Sequence, residues 1–401
     1  MKQGWEIKKI EEICITFTDG DWIESKDQST SGIRLIQTGN IGNGYFKDRE
    51  EKARYVSETT FNQLKCTEIF ENDCLISRLP EPVGRACIIP KLNARMITAV
   101  DCSIIRLKNN TVISKWFLYY SMSNNYQQQI NSQISGATRQ RISRKNLGKI
   151  CLPIPPLPEQ ERVVSILDKT FSAIDQAIQN AEKNLKNAKE LFDSYLNGIF
   201  TNKGEDWEEK TLKEISIDFG RGKSKHRPRN DKILYDGIYP FIQTGDIRNC
   251  NHYITNYTQT YNEIGLAQSK IWKKGTICIT IAANIAETGI LTFDGCFPDS
   301  IIGLYVNEEI ANNLFVEYLL QFFKTQIQSL SKGSAQANIN MQTFENKKFP
   351  FPPLLEQQNI VIKLDMLSTE INQLEEIYQQ KIIELEDLKK SILQKAFNGE
   401  I

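Results

Sequence analysis

The chain contains itself twice. Gly4-Trp5-Glu6 followed by Ile7-Lys8-Lys9-Ile10 returns as Asp206-Trp207-Glu208 followed by Lys210-Thr211-Leu212. Ile36-Gln37-Thr38-Gly39-Asn40 returns as Ile242-Gln243-Thr244-Gly245-Asp246. The stretch 153–168, PIPPLPEQERVVSILD, returns over 350–365 as PFPPLLEQQNIVIKLD, and Asn197-Gly198 returns as Asn398-Gly399. Four matches in one order, at a period near 200 residues, mark a duplication. The fold must therefore be built from two like halves, and the period is too long for a solenoid.

Each half reads as a domain followed by a helix. Within 158–200 the apolar residues Val164, Leu167, Phe171, Ile174, Ile178, Ala181, Leu185, Ala188, Phe192, Tyr195 and Ile199 keep a 3–4 spacing over five heptads. That is the seam of a coiled coil. In the second half Leu364, Leu367, Ile371, Leu374, Tyr378, Leu385, Leu388 and Ile392 keep the register, with Lys381 and Lys395 as interruptions. The pattern predicts two long helices that pair; a wide amphipathic helix lying on its own domain is the alternative the residues leave open. Pro153, Pro155 and Pro156 cannot lie inside a helix, whereas Pro158 suits a first turn. Glu159 and Glu161 complement the positive helix end. Pro350, Pro352, Pro353 and Glu356 repeat the arrangement, and each Asn-Gly pair reads as a helix stop. Asp168 to Asn197 is 29 residues and Asp365 to Asn398 is 33. The extra four predict a longer second helix with a stutter.

The segments before the helices carry short β-rich runs bounded by Gly, Asn and Asp. Strands are expected at 33–38, 74–77, 85–89, 103–107, 276–281 and 301–306, and one helix in each domain, at 115–131 and 312–330. The expected fold class is α+β: a mixed domain over 1–152, a long helix over 153–200, a second mixed domain over 201–349 and a second long helix over 350–401.

Composition excludes several classes of function. Nine cysteines form no C-x-x-C pair, and His226 and His252 are the two histidines, which argues against structural zinc. An odd thiol count with no apolar stretch at the start reads as buried cysteines in a reducing cytoplasm. No charge-free stretch is long enough to span a membrane.

Lys and Arg total 49, as do Asp and Glu, but the charges are not evenly spread. The helical stretches 158–200 and 356–395 together carry −5, leaving +5 elsewhere. Two loop-like segments concentrate it. RGKSKHRPRNDK (221–232) holds six Lys or Arg and one Asp; GATRQRISRKNLGK (136–149) holds five and no acid. A charge run is commonly a solvated face. Here arginine dominates, and its fork suits phosphate oxygens and guanine edges, while interleaved amides suit adenine. The candidate nucleic-acid contacts are Arg139, Gln140, Arg141, Arg144, Lys223, Lys225, Arg227 and Arg229. Across the repeat, GSAQANIN (333–340) lacks the arginines of GATRQRIS and offers Gln336 and Asn338. Such local divergence fits two readers of different sequences, and equally drift in a loop.

Catalytic signals are absent from this reading. The Pro-Pro pairs at 155–156 and 352–353 follow Ile and Phe rather than Asn or Asp, and read as helix-opening prolines. Gly42-Asn43-Gly44 reads as a turn, and the Glu-x-Lys triplets as chance. His226 reads as an exposed partner of phosphate or water, and Trp5 and Trp207 as matched packing anchors at the domain edges.

Taken together, PLPEQERVVSILD and PLLEQQNIVIKLD opening long helices, the Asn-Gly pairs and the duplicated Ile-Gln-Thr-Gly segments resemble the specificity subunit of a type I restriction–modification system. The resemblance covers essentially the whole chain. It implies two target-recognition domains held on an antiparallel helix pair, each reading one half of a split site in double-stranded DNA. It also implies two DNA methyltransferase (modification) subunits as partners, with restriction subunits able to join. No cofactor is expected on this chain; S-adenosylmethionine and ATP belong to the partners, and the chain itself is non-catalytic and cytoplasmic. Leu355 in place of Pro158, and Gln358-Asn359 in place of Glu161-Arg162, are departures that touch partner contacts. Two other readings stay open: the specificity component of an arrangement in which one partner both cuts and modifies, and a non-DNA helical scaffold.

Overall fold

The computed structural model describes residues 3–108, 110–136, 140–282, 285–331 and 341–401. Two compact units emerge: residues 1–182 with 379–401, and residues 183–378. The fold is α+β and duplicated.

In the first unit β1 (Glu6–Lys9) is followed by β2 (Cys14–Asp19), β3 (Cys74–Ser77), β4 (Ala86–Ile88) and β5 (Cys102–Leu107). The last four form an antiparallel sheet in the order β2-β5-β3-β4. Side chains alternate across it, as a strand's two-residue period requires. Ile105 and Ile76 enter one apolar cluster, while Ile104 and Leu75 enter another on the opposite face. A second sheet joins Gln28–Ser29, Arg54–Val56, Ile33–Ile36, Met96–Thr98 and Glu68–Ile69. Two helices follow, α1 (Ser114–Ser121) and α2 (Asn124–Gln133). The single helix expected over 115–131 is thus broken, because the Ser123 hydroxyl accepts from the Tyr126 N–H at 3.3 Å and starts a new helix. Strand β6 (Cys151–Ile154) pairs antiparallel with β1 and closes the domain. Pro153 therefore lies in a strand, not at the helix opening; Pro350 does the same in the second unit.

That unit repeats the plan. β7 (Glu208–Thr211), β8 (Ser216–Arg221), β9 (Tyr235–Phe241), β10 (Gln259–Tyr261), β11 (Ile277–Thr280), β12 (Thr288–Leu291), β13 (Ile301–Val306) and β14 (Lys348–Phe351) are its main strands. β8-β13-β11-β12 matches the first unit's four-stranded sheet and gains a fifth strand, Tyr253–Ile254, parallel to β12; β7 pairs with β14 as β1 does with β6.

Two 45-residue helices, α3 (Leu157–Thr201) and α5 (Leu354–Asn398), with α4 (Asn313–Ser331) between them, complete the chain. In the first unit Val164, Leu167, Phe171 and Ile174 at the start of α3 share a core with Leu393, Ala396 and Phe397 at the end of α5. In the second unit Leu196 and Phe200 at the end of α3 share one with Ile360, Val361 and Leu364 at the start of α5. The two helices therefore run antiparallel in both.

The equal lengths correct the expected difference. Helix α3 does not stop at Asn197-Gly198. Phe200 is 2% exposed, packed on Phe315 and Phe322. Burying it stabilises by about 1.5–3 kcal/mol, which exceeds the roughly 1 kcal/mol that a helical glycine costs. The α5 seam also departs from the expected register. Leu374 and Leu388 are exposed, at 40% and 46%, and Ile382 rather than Lys381 turns inward. Lys389 fills the next position, its Nζ 5.2 Å above the Phe171 ring and paired with Asp175. In α3 Leu196 and Phe200 take the places expected of Tyr195 and Ile199.

The repeated motif works as a clamp. Gln160 is fully buried; its Nε2 donates to the carbonyls of Thr111 and Pro155 (2.9 and 2.8 Å), and its Oε1 accepts from the Ile113 N–H (3.0 Å). Gln357 makes the matching bonds to Ile310, Pro352 and Asn312. Asp168 accepts from Tyr119 at 2.6 Å, and Asp365 from Tyr318 at 2.8 Å. Trp5 packs edge-on against Trp116, and Trp207 edge-on against Phe200 and Phe315.

Candidate nucleic-acid interface

The basic segment after β8 is fixed by its backbone and free at its lysines. The Gly222 N–H donates to the Ile301 carbonyl at 2.9 Å, where a Cβ would lie 2.3 Å from the Phe297 oxygen, so only glycine fits. The Ser269 hydroxyl donates to the Lys223 carbonyl, and Gln268 Oε1 accepts from the N–H groups of both Lys225 and His226. Lys223 and Lys225 are exposed and have no ion pair among the described residues. Both ammonium groups are thus available to a polyanion.

The arginines differ. Arg227 Nη1 donates to the carbonyls of Ser224 (2.7 Å) and His226 (2.8 Å), which shapes the loop without neutralising the charge. Arg229 Nη2 donates to both carboxylate oxygens of Asp299, at 2.6 and 2.8 Å, so its charge is largely offset. His226 departs from the expected role: its Nε2 lies 2.9 Å from Asp231 Oδ2 inside the loop. That bond, with the Ile233 N–H, holds the Asp231 carboxyl below the usual carboxylate range. Beside the loop lies a cavity of about 360 Å³ bordered by Ser224, Arg229, Tyr235, Gln243 and Gln259.

In the first unit the backbones of Ser135 and Arg141 exchange reciprocal 3.0 Å bonds. Ile142 is fully buried and anchors that pairing, and the Ser143 hydroxyl caps the following turn of helix. Arg141 and Arg144 flank that anchor in the sequence, Arg141 reaching the segment just before β5 and Arg144 the end of β2. Arg141 Nη2 lies 3.6 Å from Asp101, and Arg144 Nη1 donates to the Thr18 hydroxyl at 3.4 Å. Gln140 is exposed beside them. Arg139, Gln336 and Asn338 lie outside the described residues.

Several groups here escaped the sequence reading. Arg78 is buried beneath the patch, 3.4 Å from Asp19, with its Nε unpartnered among the described residues. Trp22, just beyond β2, is 70% exposed. An aromatic ring inside the polar run Asp19–Lys26 was the available signal. The nine cysteines are free thiols, seven of them buried. Burial pushes those of Cys14, Cys87 and Cys102 up to about 12, too high for a nucleophile near neutrality. Among the described residues no three His, Cys, Asp or Glu side chains are grouped to hold a metal, and no helix is long and apolar enough to cross a membrane.

The family model for the type I restriction modification DNA specificity domain matches residues 2–185 and again 204–386. The chain belongs to this family. The specificity domain is present in two copies, as the sequence repeat requires. The "Putative type I restriction enzyme MjaX specificity subunit" of Methanocaldococcus jannaschii is 25% identical, over all of this chain and 94% of that one. The "Type I restriction enzyme EcoKI specificity subunit" of Escherichia coli is 22% identical, over all of this chain and 90% of that one. Among solved structures, a chain from work on complex assembly and conformational transition of the type I R-M system matches with a TM-score of 0.82 at 18% identity, over 100% of this chain and 99% of that one. The HsdS subunit of Thermoanaerobacter tengcongensis matches at 0.64 and 18% identity, over 100% of this chain and 98% of that one. These structures share the fold of this specificity protein.

Proposed function

We propose that the chain is the sequence reader of a type I restriction–modification complex in the cytoplasm. Each sheet domain recognises one half of a split DNA site, and the paired helices set the spacer and dock two modification subunits, which restriction subunits join. Methyl transfer and cleavage take place on those partners with S-adenosylmethionine and ATP; this chain contributes binding and geometry and no catalytic residue. Lys223 and Lys225 hold phosphates, together with Arg227 and Arg229, and Arg141 and Arg144 do so in the first unit, where Gln140 reads a base. Arg139, Gln336 and Asn338 are further base-reading candidates.

The observation that carries the reading is the duplication of one sheet domain on an antiparallel helix pair, with exposed cationic side chains on loops of both copies. A phosphate backbone is met by such loops, whereas bases demand the side chains that differ between copies.

Mapping adenine methylation across a genome, with and without this chain beside its modification subunit, tests the reading. The expected result is a new methylated motif of two short sequences separated by an unread spacer. An unchanged methylation map, with salt-independent association and no duplex binding by the assembled complex, would favour a non-DNA scaffold.

A further inference from the structure

The repeat register singles out one position at which the two units present different base-reading chemistry. Ile36-Gln37-Thr38-Gly39 and Ile242-Gln243-Thr244-Gly245 are the same motif, so Leu35 and Phe241 are equivalent. Each faces a partner strand. Leu35 pairs with Arg54, and Phe241 pairs with Gln259. Arg54 and Gln259 therefore occupy one place in the duplicated domain, and both are exposed.

We propose that this position determines base specificity, with Gln259 reading an adenine in one half-site and Arg54 a guanine in the other. The proposal rests on the DNA-reading function argued above and assigns the residues that carry part of it. In the second unit Gln243 Nε2 donates to Gln259 Oε1 across the cavity beside the basic loop. Whichever way the two amides are turned, one shared bond leaves a carbonyl lone pair and N–H groups facing outward. Adenine presents N7 as an acceptor and its N6 amino group as a donor in the major groove, which is the complementary set. In the first unit the exposed Arg54 guanidinium offers the fork that pairs with guanine O6 and N7, and its Nη1 is steadied by Gln28 Oε1 at 3.5 Å.

Neither side chain is needed for folding. The turns beside them are closed by other side chains: Asp246 Oδ2 accepts from the Gln243 N–H at 2.8 Å, and Asn40 Oδ1 from the Gln37 N–H at 3.0 Å. Gln259 and Arg54 sit on strands, which holds their side chains at fixed places, as a reader requires.

The test exchanges the two chemistries in the intact chain assembled with its modification subunits. The bipartite motif is mapped for wild type, Gln259→Arg, Arg54→Gln and both alanine variants, with thermal melting alongside. Gln259→Arg should convert one adenine of one half-site to guanine, and Arg54→Gln one guanine of the other half-site to adenine. Each alanine variant should relax the same single position, lowering discrimination there by about five- to a hundred-fold, with the opposite half-site and the melting temperature unchanged. The unaltered half-site is the internal control for folding. Variants that keep the wild-type motif, or that weaken every position alike, overturn the proposal while leaving the broader reading standing. A wild-type complex that methylates no split motif overturns both.

Discussion

At the scale of single residues, pairing separates cations free to meet phosphate from cations whose charge is already offset. Lys225 is exposed and unpaired among the described residues, whereas Arg229 is already matched to Asp299. Replacing Lys225 with alanine should weaken binding of the assembled complex to every duplex alike and lower the salt slope, log K against log[salt], by about one. Arg229→Ala should change that slope less, because Asp299 has already offset its charge; titrations at several salt concentrations compare the two. His252 makes a second prediction. Its Nδ1 lies 2.7 Å from Oε2 of the fully buried Glu317, which also accepts from Thr288 and Gln321. Burial disfavours the charged imidazole, but the hydrogen bond and charge of Glu317, with Asp365 beyond, outweigh it and raise the pKa above 6.5. A raised histidine stabilises the fold fully below its unfolded value, and that contribution is lost as pH climbs through the folded value. The melting temperature of the second unit should therefore fall as pH rises above 6.5, and Glu317→Gln should flatten that dependence. A wild-type profile that rises over the window would show that the pair does not act this way.

At the scale of elements, helix α3 carries a glycine that its surroundings do not need. Gly198 is helical, and a Cβ there would meet nothing within 4 Å. Gly198→Ala should stabilise the second unit by up to about 1 kcal/mol. Gly399, just past α5, sits at φ +77°; Gly399→Ala should instead destabilise the first unit, since side chains pay roughly 1–2 kcal/mol in that conformation. Denaturant titration of both variants distinguishes a stop from a through-helix. The sequence shows the same Asn-Gly pair at both places, and only the burial of Phe200 beyond one of them decides which continues. Strands were legible where apolar runs are bounded by turn residues, as at Cys74–Ser77 and Ile301–Val306. Two-residue strands such as Glu68–Ile69 have no periodicity to detect. The cationic loops were visible because charge is compositional. Their acidic partners were not, since Asp299 lies 70 residues from Arg229.

At the scale of the whole molecule, the chain's ends belong to one compact unit. Residues 379–401 fold with 1–182, and Phe397 packs edge-on against Trp116 and Tyr120 at 4.8 and 5.2 Å. The first domain thus depends on the final turns of α5, a dependence that a linear reading of domain-then-helix hides. The repeat explains it: each helix start clamps its own domain through Gln160 or Gln357, and each domain receives the other helix's end. Phe397 is 5% exposed, so Phe397→Ala removes a ring from a closed core. The expected cost is about 3–5 kcal/mol, and it should fall on one unit. Hydrogen exchange should show lost protection in α1 and β5, more than 270 residues away in sequence, with β11 and β13 unchanged. Equal loss in both units would mean that the molecule opens as a single cooperative body, and that the ends contribute to a shared stability rather than to the first domain alone.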